Sequence, residues 1–372
     1  MGMEIDVPVK GSSVGRFDNL DPEHEAVDYY QGVHRRIGGG FFRGDHCNFT
    51  PLKTDFDLDG FLGNFVLKGW TPERPFVSKE TRLTTFGSCF AEHIAKYLGS
   101  LGYNISKDRD PTVYISRMSE GMVNTYAILQ QLEWALEKTK PSESLWHGYR
   151  CEEFGYDEQI RKRTEQVFLQ TQVFIITLGL SEIWYDEATG GVFWRAVPMK
   201  FYDASRHKFR VCSFNETKAN IQRIYELIRK HVPKAKLLFT LSPIPLAATF
   251  RSTSIITANS ASKAILRAAL DEFYRDNSAE LNKVLFYFPA FEIVNELFLD
   301  RFELDLRHVH PHIITFVMKL FEAIYCDGDL KRVDALLRQA RKKDVTVTSG
   351  VPRTLRNLIL FFRGRLMTTR FR

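Results

Sequence analysis

The stretch L-T-T-F-G-S-C-F-A-E-H-I-A-K-Y-L (residues 83–98) joins a short β-leaning run to a helical pattern, and the junction is Gly87-Ser88-Cys89. A strand that passes into a helix through a tight turn exposes the side chain at the turn. It also points the first N–H groups of the helix toward that side chain. A nucleophile and part of an oxyanion site then arrive together. Ser88 suits the N-cap of the helix equally well, and taken alone that is the commoner role for a serine so placed. For Cys89, packing between strand and helix is the more usual fate.

Outward from this junction, apolar strand-like runs recur at Val173–Leu178, Lys236–Leu241 and Val284–Phe288. Helical patterns separate them, at Ala91–Leu101, Gly121–Lys138, Glu216–His231, Asn259–Asp276 and Ile313–Ile324. Short apolar runs alternating with amphipathic helices predict βα units and a mostly parallel sheet covered on both faces. A weaker strand is expected near Tyr103–Ile105 or Val113–Ile115. The domain is expected over residues 81–326. Residues 1–80, with Gly38-Gly39-Gly40, read as an irregular extension, and residues 327–372 as a basic helical tail. That tail ends T-L-R-N-L-I-L-F-F-R-G-R-L-M-T-T-R-F-R, amphipathic and basic enough to contact a membrane surface or a partner. A terminal helix packed on its own domain is the plainer reading.

The bulk numbers set bounds. The chain has 372 residues, 44% hydrophobic and 26% charged, enough for a substantial core. A formal charge of +6 is too mild to call for nucleic acid, and no nucleic-acid partner is expected. Five cysteines without C-x-x-C spacing argue against a disulfide framework or a zinc site. They fit a reducing compartment. No charged-then-apolar leader pattern and no apolar run near 18 residues is visible, so a cytoplasmic location is expected.

Ligands of doubly wound sheets bind at the carboxyl ends of the parallel strands. Polar, small or titratable residues follow each run: Gly87-Ser88-Cys89, Gly179-Leu180-Ser181-Glu182, Ser242-Pro243, and Asp305-Leu306-Arg307-His308. A carboxylate three residues before a histidine can accept from its Nδ1–H. Nε2 is then left to take a proton from a serine, which is a weak nucleophile without such a base. A solvated charge cluster is the alternative for this turn. Gly179 permits close backbone approach, and its N–H can serve as an oxyanion donor. Asn124 offers a further donor, or else faces a neighbouring loop from its helix. Glu182 either orients loops or is the acid beside the start of a short helix. His310 and His312 follow at alternate positions, which converge on one ion only in an extended strand. No metal site and no cofactor are expected.

These residues carry a resemblance. T-T-F-G-S-C-F-A-E-H-I-A is similar to the signature of the GSCFA domain family, a branch of the SGNH/GDSL-like hydrolases. E-G-M-V-N-T-Y-A-I-L-Q-Q-L-E-W, T-L-G-L-S-E-I-W, T-L-S-P-I-P-L-A-A-T-F, S-K-A-I-L-R-A-A, Y-F-P-A-F-E-I-V and D-L-R-H-V also resemble segments of that family, over about Gly69 to Cys326. The resemblance implies an SGNH-type three-layer α/β/α sandwich. It also implies Ser88 as nucleophile, with Asp305 and His308 as its partners. Gly121 would match the glycine of the second block. Where the wider superfamily has G-x-N-D, this chain has Gly179-Leu180-Ser181-Glu182, without the oxyanion asparagine.

The expected function is a serine-dependent esterase or O-acyltransferase acting on acyl groups of a saccharide or polysaccharide through an acyl-serine. The aromatic residues Trp184, Tyr185, Trp194 and Tyr202 after the Gly179 turn suit sugar stacking, though aromatics are more often core. Two alternatives stand beside it. One is a saccharide-binding or scaffolding protein that kept the fold without turnover; the other is a lipid-directed hydrolase at a membrane surface.

Overall fold

The four apolar runs become four parallel strands, because a strand covered by helices on both faces is apolar at nearly every position. A computed structural model describes residues 25–30, 33–38 and 48–349, apart from 49, 52, 119–120, 141–145, 148–152, 155, 196 and 328. An antiparallel hairpin, β1 (Glu25–Tyr30) and β2 (Val33–Gly38), comes first. There follow β3 (Leu83–Gly87), α1 (Cys89–Ser100), the one-turn helices α2 (Ser106–Arg109) and α3 (Tyr114–Arg117), and α4 (Thr125–Glu137). The two-residue strands β4 (Trp146–His147) and β5 (Glu153–Phe154) pair ahead of α5 (Glu158–Leu169) and β6 (Val173–Leu178). A second antiparallel hairpin, β7 (Glu182–Asp186) and β8 (His207–Val211), leads to α6 (Phe214–His231). Then come β9 (Lys236–Leu241), α7 (Ile255–Asp276), β10 (Leu285–Phe288), α8 (Ala290–Leu297), α9 (Pro311–Glu322) and α10 (Leu330–Ser349).

The central sheet runs β10-β9-β6-β3, all parallel. Side chains alternate across it. Phe174, Ile176 and Leu178 of β6 join the core formed with α4, α5, α6 and α7. Val173 and Ile175 join the core formed with α1, α8 and α9. The architecture is therefore a three-layer α/β/α sandwich with a parallel sheet. Each fully buried Leu, Ile or Phe in these cores contributes about 1.5–3 kcal/mol relative to exposure.

Several boundaries differ from the sequence reading. The helix expected from Gly121 starts at Thr125, because the Asn124 side chain caps it by accepting from Ala127 N–H. The helix expected from Asn259 starts at Ile255, capped by Ser254. Val113–Ile115 is not a strand: Tyr114 and Ile115 open helix α3. Three buried residues in a row cannot tell the two periods apart. Ile105 makes a single parallel bridge to Leu83. Residues 353–372, the basic end of the tail, lie outside the described residues. Among the described residues no helix is long and apolar enough to cross a membrane.

The chain before β3 is tied to the end of the domain. Buried Asp334 on α10 accepts from the backbone N–H groups of Gly60 and Leu62, at 2.7 and 3.2 Å. Phe76 and Val77 donate their N–H groups to Tyr325 O. Asp334→Ala leaves two donors without an acceptor. It should lower stability by about 1–3 kcal/mol, read as a shift in the urea midpoint. An unchanged midpoint would show that the clasp contributes nothing.

Candidate active site

Ser88 stands at the carboxyl end of β3, and the turn beneath it requires glycine. Gly87 has φ +136°, and a Cβ there would lie 2.1 Å from Thr177 O on the neighbouring strand. Ser88 is the N-cap of α1, its Oγ accepting from Phe90 N–H at 3.3 Å. The capping role and the place at the strand–helix turn coexist in one residue, but the side chain that the turn was expected to expose is buried. Ser88 is 3% exposed, and its own N–H donates to Thr177 O at 3.0 Å. Cys89 opens α1 and packs, half-buried, against the core of α1, α8 and α9.

Gly179 follows β6 directly and lies against Ser88. A Cβ on Gly179 would come within 3.2 Å of Ser88 Cβ and 2.8 Å of Val123 O. The close approach predicted for this glycine is thus present. Its N–H, however, donates to Val123 O at 3.0 Å, as does that of Leu180. Asn124 is also engaged: besides capping α4, its Nδ2 donates to Phe193 O and Trp194 O at 3.4 and 3.3 Å. It is 2% exposed. Gly121 sits in the same connection and donates its N–H to Met118 O. Each donor suggested for an oxyanion is therefore engaged, and would have to exchange a partner to hold a substrate oxygen.

The dyad lies on the connection between α8 and α9. Phe302 and Val309 bridge antiparallel, and Glu303 N–H donates to His308 O, so Asp305 and Leu306 form the tip of a small hairpin. Leu306 takes φ +54° there. Asp305 Oδ1 accepts from the N–H groups of Arg307 and His308, both at 3.0 Å, while Oδ2 is hydrogen-bonded to His308 Nδ1. With a carboxylate as acceptor, Nδ1 must carry the proton, and Nε2 is the ring's acceptor. Partial burial pushes the Asp305 pKa up. The bonds from the His308 N–H and ring and from the Arg307 N–H outweigh it, leaving the carboxyl below its usual range. The histidine ring is exposed, and among the described residues it makes no hydrogen bond to Ser88. Arg307 ties this hairpin to the β9–α7 connection by donating to Pro245 O at 3.3 Å.

Glu182 begins β7, so a strand rather than a short helix follows it. Its carboxylate accepts from Thr249 Oγ1 at 2.9 Å and so holds the β9–α7 connection against the Gly179 turn. Burial raises its pKa, partly offset by Thr249 and Arg251. Of the four aromatics after that turn, Trp194 is wholly buried. The Trp184 ring meets Tyr202 and Phe250 edge-on, with centroids 5.9 and 4.8 Å apart. His310 occupies the N-cap position of α9 without a side-chain capping bond, and its ring stacks on that of His312.

One residue at this end of the sheet escaped the sequence reading. Lys263 of α7 is 3% exposed and donates to Gly179 O at 2.7 Å and Ser242 O at 2.8 Å. The signal was available: Lys263 falls in register with Leu266, Leu270 and Tyr274, at the head of a stripe that is apolar from there on.

The GSCFA family model matches residues 82–321. A GDSL-like lipase from Bacteroides thetaiotaomicron is 14% identical, over 73% of this chain and 92% of that one, with a TM-score of 0.31. An acetyl xylan esterase from the rumen bacterium Butyrivibrio proteoclasticus is 13% identical, over 67% of this chain and 63% of that one, with a TM-score of 0.30. No curated protein matches. The family match covers more than half of the chain and runs from β3 to α9, taking in Ser88, Gly179 and the Asp305–His308 pair. The chain belongs to the GSCFA family.

Proposed function

We propose that the protein is an SGNH-type serine esterase or O-acyltransferase acting on O-acyl groups of a saccharide. The observation that carries this reading is the Asp305–His308 pair, joined through Nδ1, on a connection at the same end of the sheet as Ser88. His308 Nε2 takes the Ser88 proton as Oγ attacks the acyl carbonyl, and Asp305 stabilises the imidazolium that forms. The imidazolium returns that proton to the departing sugar oxygen as the ester C–O bond breaks, leaving an acyl-serine whose acyl group then passes to water or to a sugar hydroxyl. The N–H groups of Ser88 and Gly179 would receive the oxyanion after leaving Thr177 O and Val123 O. Each such donor is worth about 3–4 kcal/mol in the transition state. Tyr202, half-exposed beside Trp184, supplies a ring face for a sugar. Acetate release from acetylated xylan and from acetylated chitooligosaccharides tests the substrate class. Release that Ser88→Ala abolishes supports it; no release from either, with turnover of simple esters intact, rules the saccharide out.

A lipid-directed reading has its own observation. Twelve large apolar side chains stand exposed among the described residues, and nine lie on three stretches of chain that follow β6, β9 and β10. Met199, Phe201 and Tyr202 lie between β7 and β8; Phe250 precedes α7, and Ile255 and Ile256 open it; Leu299, Leu304 and Leu306 lie in the connection that carries the Asp305–His308 pair. An apolar rim of this kind favours an acyl chain or a lipid surface over a fully hydrated glycan. If it serves a long acyl chain, Leu306→Ser with Phe250→Ser should lower kcat/KM for a dodecanoyl p-nitrophenyl ester at least tenfold and leave the acetyl ester within twofold. Equal effects on both would remove the rim from substrate selection.

A further inference from the structure

The helix face of α7 that meets the sheet is polar over Asn259–Lys263, in its second and third turns. Asn259, Ser262 and Lys263 stand at i, i+3 and i+4, one stripe of the helix. Each bonds a connection at the carboxyl end of the sheet. Asn259 Oδ1 accepts from Leu246 N–H at 3.0 Å. Ser262 Oγ accepts from Ser181 N–H at 2.9 Å. Lys263 Nζ bridges Gly179 O, just after β6, and Ser242 O, just after β9. Val123 O closes the Gly179 turn from the opposite side by accepting from Gly179 and Leu180. The turn that abuts Ser88 Cβ is therefore gripped between the α3–α4 connection and α7.

A lysine here has a cost that packing does not explain. It is wholly buried, and among the described residues no carboxylate neutralises it; the ionisable side chains acting on it are Cys89 of α1 and Arg307 of the dyad hairpin. Burial is the chief cause that brings its pKa down to about 7; Cys89 opposes the shift and Arg307 adds to it. An apolar residue of similar length would fill the same space without that penalty.

We infer that Lys263 is a positioning residue of the Ser88 site: by fastening the ends of β6 and β9 it holds the Gly179 turn against Ser88, in a chain whose turn lacks the asparagine of G-x-N-D. This inference rests on the reading of Ser88 as nucleophile. Ser262 and Asn259 complete the same clamp.

The test uses the full chain with Lys263→Met, Lys263→Gln and Ser88→Ala. In Lys263→Met, kcat for p-nitrophenyl acetate should fall at least tenfold while KM stays within twofold. Lys263→Gln, which keeps an amide donor, should recover part of it.

Stability supplies a readout independent of turnover. The unfolded chain binds the lysine proton more tightly than the folded one, so this group destabilises the fold below pH 7 and ceases to do so as pH rises toward 10. The wild-type Tm should therefore gain on Lys263→Met between pH 7 and 9. Hydrogen exchange in segments 179–182 and 242–246 should be faster in Lys263→Met. Unchanged exchange there, or a wild-type kcat in the methionine variant, would overturn the inference. Activity surviving in Ser88→Ala would instead sink the nucleophile assignment, while the exchange result still decides whether the clamp exists.

Discussion

Ser88→Ala is expected to reduce ester turnover by a factor on the order of 10⁴ to 10⁶, since removing the nucleophile of such a site leaves only binding and oxyanion contacts. The loss has to be separated from a folding defect, because Ser88 also caps α1 through Phe90 N–H. Replacing an N-cap serine by alanine costs about 0.5–2 kcal/mol, and replacing it by glycine only a few tenths. Ser88→Gly should therefore be as inactive as Ser88→Ala while melting close to wild type. Cys89→Ala should retain activity, as Cys89 packs against the core of α1, α8 and α9. If Ser88→Gly turns over substrate normally and Cys89→Ala does not, the nucleophile is the thiol.

The second large effect belongs to the dyad. His308→Ala should cost on the order of 10⁴-fold or more in kcat, and Asp305→Asn about 10⁴-fold by favouring the wrong tautomer. His310→Ala is the control. That histidine precedes α9 and stacks on His312, two residues from the proposed base, and its loss should leave most activity in place. The Asp305 result needs one further control. Oδ1 accepts the N–H groups of Arg307 and His308 at the hairpin tip, so Asp305→Ala would loosen the loop as well as the ring. Asn keeps an acceptor there and isolates the tautomer effect. Rates measured at pH 8 on the same ester decide this. A dead His310→Ala beside an active His308→Ala would place the base two residues further along the chain.

The legible part of the fold is the part where a local pattern has one cause. Strands buried on both faces are apolar at nearly every position, so Val173–Leu178 and Lys236–Leu241 were readable to the residue. Helix starts were less so, because a capping residue looks like a loop residue until its partner is known. Asn124 illustrates this: an amide at that place can cap a helix or aim at an oxyanion, and only the bonds to Ala127, Phe193 and Trp194 show what it holds here. Ser88 and the D-x-x-H spacing stood out because their chemistry is local. What surrounds them was not legible. The Gly179 N–H is taken by Val123 O, 56 residues earlier in the chain, and its carbonyl by Lys263, 84 residues later. No window of sequence reports such distant pairings. Lys263 was visible only as a charge on an apolar stripe.

The most direct test of the central claim is covalent. The full chain is treated with a fluorophosphonate, digested, and the adduct located by peptide mass spectrometry. A single adduct on Ser88, absent after heat denaturation and strongly reduced in His308→Ala, is the predicted result. No adduct on Ser88 in folded protein that still hydrolyses p-nitrophenyl acetate, or folded protein with neither labelling nor turnover, would contradict it.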